Sequence, residues 1–151
     1  MKRTMIVVSV AMLLVFHTAA LAASSHAGHN AGGNDGPMGG TFKHHEMVDG
    51  TRAEFQIMSL ASMNMQDPGG ATHHIMVKLT GPGQDRPVAD AVGRIKVIAP
   101  SGESQEAALK NYGGVLAANF SFGVPGRYGV ICLFVDQGQK KVVKFWYSHK
   151  G

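Results

Sequence analysis

From Thr51 onward, apolar and polar residues alternate in short runs that are separated by turns containing Gly, Pro and Asp. The clearest run is HHIMVKLT at 73–80, in which every second residue from Ile75 to Leu79 is aliphatic. A period of two is typical of a strand that buries one face, and no stretch shows the 3.6-residue period of an amphipathic helix. The pattern therefore predicts seven strands, at 51–60, 73–80, 91–99, 104–109, 115–122, 127–135 and 140–148.

Short strands at nearly regular spacing are typical of an all-β, immunoglobulin-like β-sandwich. The sequence PGRY at 125–128 places a tyrosine just inside a predicted strand, as in the tyrosine corner of such sandwiches. Here, however, Cys132 follows Tyr128 by four residues, whereas the motif has a spacing of two. The predicted core is one face of these strands: Phe55, Ile57, Ile75, Val77, Leu79, Ile95, Val97, Leu116, Phe120, Phe122, Val130, Cys132, Phe134, Val143 and Phe145.

The chain begins with the features of a secretory signal peptide. A basic start, MKRT, precedes an apolar run at 5–16, MIVVSVAMLLVF, and the small residues of Ala20-Leu21-Ala22 fit the cleavage pattern. The apolar run is too short to span a bilayer. We therefore expect residues 1–22 to be removed, leaving a periplasmic or secreted protein without a stable membrane span.

Between this leader and the first predicted strand, residues 23–50 are rich in Gly, Ser, Asn and His and poor in aliphatic side chains. This composition favours a flexible segment, because it offers little apolar surface to bury. The sequence thus predicts a chain of three parts: a signal peptide at 1–22, a flexible segment at 23–50 and a β-sandwich domain at 51–149.

Charge and cysteine content narrow the range of functions. Loss of Lys2 and Arg3 with the leader leaves 12 of the 14 basic residues against 10 acidic residues, a net charge near +2. No dense run of Lys and Arg remains, which argues against nucleic-acid binding. The single cysteine, Cys132, excludes an internal disulfide and lies in an apolar run, so we expect it to be a buried core residue.

The methionines of the processed chain are confined to one region. All six lie between Met38 and Met76, and six of the seven histidines precede position 75. Methionines that only fill a core are expected in all strands. Thioether sulfur suits Cu(I), and imidazole suits Cu(I), Cu(II) and Zn(II). The sequence thus predicts a copper site, with Cu(I) as the favoured ion and with these candidate ligands: Met58, Met63, Met65, His73, His74 and Met76.

The predicted strands suggest how such a site could form. Residues i and i+2 of a strand point to the same side, so His74 and Met76 are expected to converge on one ion. The two loop methionines repeat this spacing, and Met58 ends the strand that is expected to pair with the next. His73 is expected on the other side of the strand as a buried, hydrogen-bonded histidine, or alternatively as a ligand from the loop.

Weaker candidates lie in the N-terminal segment. His44, His45 and Met47 form a second cluster that could bind Cu(II) or Zn(II), and the alternative is a solvated linker. If cleavage followed Ala23, His26 would be the third residue, and its imidazole, the free amine and two amides would form a square-planar Cu(II) or Ni(II) site. Cleavage one residue earlier, which the A-x-A pattern favours, removes that site.

No enzyme motif is present, and we expect a protein that is not an enzyme. The chain has no HExxH, no GxSxG and no phosphate-binding loop. A blue-copper site needs a Cys, two His and a weak axial Met, whereas Cys132 is followed only by His149 and by no Met. Two other functions stay open: a non-catalytic module that docks an envelope or inner-membrane protein through its Met-rich loop, and a redox or metal-sensing accessory of a membrane complex.

The stretch from His74 to Tyr147 resembles the YtkA-like family of small secreted β-sandwich domains. The resembling segments are HHIMVKLTG with PVADAVGRIKVIAPSGE, and FGVPGRYGVICLF near the end. His74-Ile75-Met76 is also similar to the H-x-M element of periplasmic copper chaperones of cupredoxin-like type, although Met63 and Met65 precede it at a shorter distance than the Met and His of those chaperones. The resemblance implies an extracytoplasmic sandwich associated with metal or redox functions, without a defined activity.

Overall fold

The structure, a computed structural model, describes residues 41–151, which form two antiparallel sheets that enclose one core. In chain order the strands are β1 (Phe42–Val48), β2 (Thr51–Ser59), β3 (His73–Thr80), β4 (Val92–Ile98), β5 (Ser104–Ala108), β6 (Lys110–Tyr112), β7 (Val115–Phe120), β8 (Gly126–Asp136) and β9 (Gln139–His149). One sheet has the order β1-β2-β3-β7-β6, and the other has the order β5-β4-β8-β9. The predicted β-sandwich is confirmed. No helix within 41–151 is long and apolar enough to cross a membrane.

The core lies between the two sheets and is built from alternate residues of the long strands. In β3, the three aliphatic residues from Ile75 to Leu79 are fully buried, while the residues between them are half-buried. Every residue of the predicted core is buried. Burial raises the pKa of the Cys132 thiol to about 12, so this thiol stays neutral in the core.

Near the start of β8, the hydroxyl of Tyr128 donates a hydrogen bond to the carbonyl oxygen of Val124 at 2.9 Å. This is the backward contact to the backbone that a tyrosine corner makes, so the sequence interpretation of PGRY is confirmed. The side chain itself is buried, with 1% of its surface exposed. Its hydroxyl is therefore satisfied by a local partner while its ring packs in the core.

Two strands differ from the sequence prediction. β1 lies in the segment that the composition assigned to a flexible linker, so the described sandwich begins at Phe42 and not at Thr51. The inward side of β1 includes His44 and Glu46, and these polar residues hide its alternation. The Asp49-Gly50 turn, in which both residues have positive φ, is the hairpin signal that could have revealed β1. β6 has three residues, too few to show a period, and occupies part of a predicted turn. The predicted signal peptide and the linker residues before 41 lie outside the described residues.

A buried polar cluster, which sequence reasoning did not predict, joins the two sheets at one end. The Lys141 ammonium donates to the Thr51 hydroxyl oxygen at 2.6 Å and lies 3.3 Å from a carboxylate oxygen of Asp136. These side chains are nearly inaccessible to solvent. Removing one partner of such a pair typically costs about 3–5 kcal/mol, because the remaining charge is left buried and unpaired. The cluster therefore connects β2 to the β8–β9 hairpin through buried hydrogen bonds and an ion pair.

Candidate metal centre

Strand β3 separates the two adjacent histidines of the predicted site. Successive residues of a strand point to opposite faces, so His73 lies on the core side with Ile75, and His74 lies on the outer face with Met76. His73 is buried, while His74 and Met76 are half-buried. The six predicted ligands therefore cannot all surround one ion.

The pairing of β2 with β3 adds a thioether to the outer face. Met58 is the register partner of His74, and Gln56 is the register partner of Met76. Opposite residues of an antiparallel pair have Cβ atoms about 4.5–5.5 Å apart. Met58 is half-buried like the two β3 side chains. We call Met58, His74 and Met76 the outer-face patch; it brings two soft sulfurs and one imidazole together on three neighbouring positions.

A chain of hydrogen bonds orients the imidazole of this patch. The Nδ1 atom of His74 lies 2.6 Å from Oδ1 of Asn119, its register partner on β7. The Nδ2 group of Asn119 donates in turn to Oδ1 of Asp67 at 2.9 Å. The other oxygen of this carboxylate accepts from the backbone N–H of Gly69 and of Ala71. The Asn119 amide and the Ala71 N–H stabilise the charged form and hold the pKa of Asp67 below its usual value.

The loop methionines follow Met58 in sequence and lie outside the strand register. Met63 belongs to the short 3₁₀ turn at Ala61–Met63, and the backbone N–H of Met65 returns to the carbonyl oxygen of Leu60. Met63 is half-buried and Met65 is exposed. Because this turn follows directly on β2, both methionines are close in sequence to Met58. The register itself aligns only the three residues of the outer-face patch.

His73 is held in an aromatic cluster at the opposite side of the sheet. Its ring centroid lies 4.9 Å from that of Phe122 and 5.0 Å from that of His149, and Nδ1 lies 2.9 Å from the hydroxyl of Thr72. Burial, with a smaller effect of His149, lowers the pKa of His73 to about 4. Of the two roles expected for His73, the buried, hydrogen-bonded one agrees with the structure. It is not on the same face as the other candidates.

The weaker candidates on β1 divide in the same way. His44 faces inward, where it stacks on Phe145 with ring centroids 4.4 Å apart, and burial lowers its pKa. His45 and Met47 face outward and are exposed. Their register partners on β2 are Glu54 and Arg52, which form an ion pair of 2.8 Å. Glu54 and Arg52 lie toward the start of β2, whereas Met58 lies at its end. His45 and Met47, which pair with them, therefore do not join the outer-face patch. His26 lies outside the described residues.

The donor chemistry of the patch follows from its residue types. Within residues 41–151, no three His, Cys, Asp or Glu side chains come together as a metal-binding group. The patch instead combines thioethers with imidazole, and thioethers select soft ions such as Cu(I). Sequence reasoning missed Asn119 and Asp67 as members of this site. Nothing in the sequence signals Asn119, because it is 45 residues from His74 and meets it only through strand pairing.

Comparison with known proteins reveals no relative from which the role of this site could be read. No family model, no curated protein and no solved structure matches the chain.

Proposed function

We propose that this is an exported, non-catalytic copper-binding protein that sequesters Cu(I) or hands it to a partner. Met58, His74 and Met76 are its main ligands, and Met63 and Met65 supply further sulfur from the loop. One observation carries the proposal: the β2–β3 register sets a thioether opposite an imidazole whose strand neighbour on the same face is a second thioether. The YtkA-like and H-x-M resemblances point in the same direction.

The protonation chemistry of these donors suits a site that works over a wide pH range. Thioethers carry no proton, so two of the three main ligands need no deprotonation before they bind. Only the imidazole has to be neutral. The half-buried position of all three side chains also fits a carrier, because a partner can approach the outer face without the sandwich opening.

A competition titration tests this proposal. The mature chain and the triple variant Met58→Leu, His74→Gln, Met76→Leu compete with a Cu(I) chelator under reducing conditions. Leu and Met are close in volume, so each exchange should cost less than about 1.5 kcal/mol of folding stability. The parent should bind one Cu(I) tightly, and the triple variant should lose this binding while remaining folded.

The chain contains a matched control for that variant. His45→Gln with Met47→Leu removes an imidazole and a thioether at the same i, i+2 spacing from the outer face of the same sheet. This control should keep Cu(I) affinity. Equal Cu(I) affinity in the parent and the triple variant would contradict the proposed copper site. Docking of a partner through the Met-rich loop would then be the better interpretation.

A further inference from the structure

The side-chain amide of Asn119 has two different partners, and each end can be assigned from chemistry. An ionised carboxylate only accepts hydrogen bonds, so the NH₂ group of Asn119 must face Asp67. The carbonyl oxygen of the amide then faces His74, 2.6 Å from Nδ1. Because that oxygen can only accept, Nδ1 of His74 must carry the proton.

This assignment determines which nitrogen of His74 is available to a metal. In a neutral imidazole with Nδ1 protonated, the lone pair resides on Nε2. Among residues 41–151, the Nδ1 contact with Asn119 is the only side-chain hydrogen bond of His74, so Nε2 has no hydrogen-bond partner there. The imidazole thus meets the usual requirement of a metal-ligating histidine, in which the second nitrogen donates to an oriented acceptor.

The same amide also restrains the loop that carries Met63 and Met65. Asp67 lies in this loop, and two backbone N–H groups of the turn hold its carboxylate. Two further bonds tie the end of the loop to the end of β7 and the residue after it: Thr72 N–H donates to the carbonyl oxygen of Phe120, and the Ser121 hydroxyl donates to that of Gly70. Asn119 is therefore the link between the loop and the imidazole.

We propose that Asn119 is a positioning residue of the copper site: its amide fixes His74 as the Nδ1–H tautomer and ties the methionine loop to the same imidazole through Asp67. This inference rests on the proposed function for its copper readout only. The tautomer of His74 is a property of the metal-free protein and can be measured without copper.

Two variants of Asn119 separate its two contacts. Asn119→Leu keeps a similar size but removes both hydrogen bonds. Asn119→Asp keeps an acceptor for His74 and places a second carboxylate against Asp67, which breaks the link to the loop by repulsion. Asn119 is exposed, so both chains should fold; Asn119→Ala serves as a smaller replacement that removes the same bonds.

The first readout is the ¹⁵N chemical shifts of the His74 ring, from long-range proton–nitrogen correlation of the metal-free mature chain at about pH 8, above the ordinary pKa of about 6.5 for a free histidine side chain. The parent and Asn119→Asp should show one protonated nitrogen, Nδ1. Asn119→Leu and Asn119→Ala should show a mixture of the two tautomers. An unchanged Nδ1–H tautomer in both of these variants would overturn the proposal.

The second readout is Cu(I) affinity by chelator competition. Removing a partner that orients a ligand typically costs about 10–100-fold in metal affinity, and we expect a loss in this range for Asn119→Leu. Asn119→Asp should lose less, because it keeps the acceptor for Nδ1 of His74 and loses only the contact with Asp67. A changed tautomer with unchanged copper affinity would refute the positioning role. A changed tautomer in a protein whose parent binds no Cu(I) would refute the proposed function while leaving the hydrogen-bond assignment correct.

Discussion

Strands β1 and β3 carry nearly the same four residues, HHEM at 44–47 and HHIM at 73–76. In both strands the first histidine faces inward, and the second histidine and the methionine face outward on the same sheet. The difference lies in their neighbours. The β3 pair has Met58 and Asn119 as partners of its histidine, whereas the β1 pair has the Glu54–Arg52 ion pair opposite it.

This comparison teaches that the motif alone does not define the site. β3 lies inside its sheet, between β2 and β7, so His74 has a neighbour on each side. Met58 on β2 can act as a second ligand, and Asn119 on β7 can orient the imidazole. β1 is an edge strand with one neighbour, and its outward pair is exposed. Arg52 and Glu54, opposite this pair, are engaged with each other and offer neither a thioether nor an imidazole. For the proposed copper site, we therefore expect the cross-strand partners, and not the H-x-M spacing, to determine which strand binds the ion.

The largest expected effect separates the two strands directly. His74→Gln with Met76→Leu should lower Cu(I) affinity by at least about 100-fold, more than the loss expected from an orienting neighbour. His45→Gln with Met47→Leu should change it by less than about 3-fold, within the scatter expected for a distant site. Chelator competition on both double variants measures the difference. Equal losses would contradict the assignment of the site to β3.

The inward histidines provide a second expectation, for stability instead of binding. The pKa of His73 is about 4 in the folded chain, below its ordinary value of 6.5, so the unfolded chain takes up the proton first as pH falls. Neutral His73 therefore lowers the free energy of unfolding only below about pH 6.5, as pH falls toward about 4. The loss of folding stability reaches about 2 kcal/mol at about pH 5. Burial of His44 acts in the same direction.

Urea unfolding of the metal-free chain between about pH 8 and pH 4.5 checks this dependence. His73→Phe should reduce the slope without abolishing it, because Phe suits the surrounding aromatic rings and does not titrate, whereas the buried His44 remains. Stability of the parent that is level across this range would contradict the buried, neutral state of His73.

A smaller effect is expected from the methionine loop between β2 and β3. Met63→Leu with Met65→Leu removes two sulfurs outside the strand register. We expect Cu(I) affinity to fall about 10-fold, which corresponds to about 1.4 kcal/mol, with metal-free stability changed by less than about 1.5 kcal/mol. No loss of affinity would limit the site to the outer-face patch.

The smallest expected effect is a gain of binding at β1. Glu54→Met with Arg52→Gln copies onto β1 the cross-strand neighbours of β3, since Met58 faces His74 and Gln56 faces Met76. This variant should take up a second, weaker Cu(I), because no residue there replaces Asn119. A stoichiometry that stays at one in the titration would show that cross-strand partners are not sufficient.

The fold was largely predictable because a strand with one buried face shows apolar and polar residues in alternation. Ile75, Val77 and Leu79 identify β3 without any other information. β1 escaped prediction because its inward positions include His44 and Glu46, which break the expected contrast between buried and exposed residues. The site was predictable only in part. The opposite faces of His73 and His74 follow from alternation, whereas the contact of His74 with Asn119 depends on pairing between segments that are distant in sequence.

The central claim is that Met58, His74 and Met76 bind Cu(I) together on the outer face of the five-stranded sheet. X-ray absorption at the copper edge, on the Cu(I)-loaded mature chain, tests this most directly. The account predicts sulfur and imidazole in the same coordination sphere, with sulfur reduced in Met58→Leu with Met76→Leu and imidazole lost in His74→Gln. A sphere of nitrogen and oxygen alone, or one that none of these substitutions alters, would contradict it.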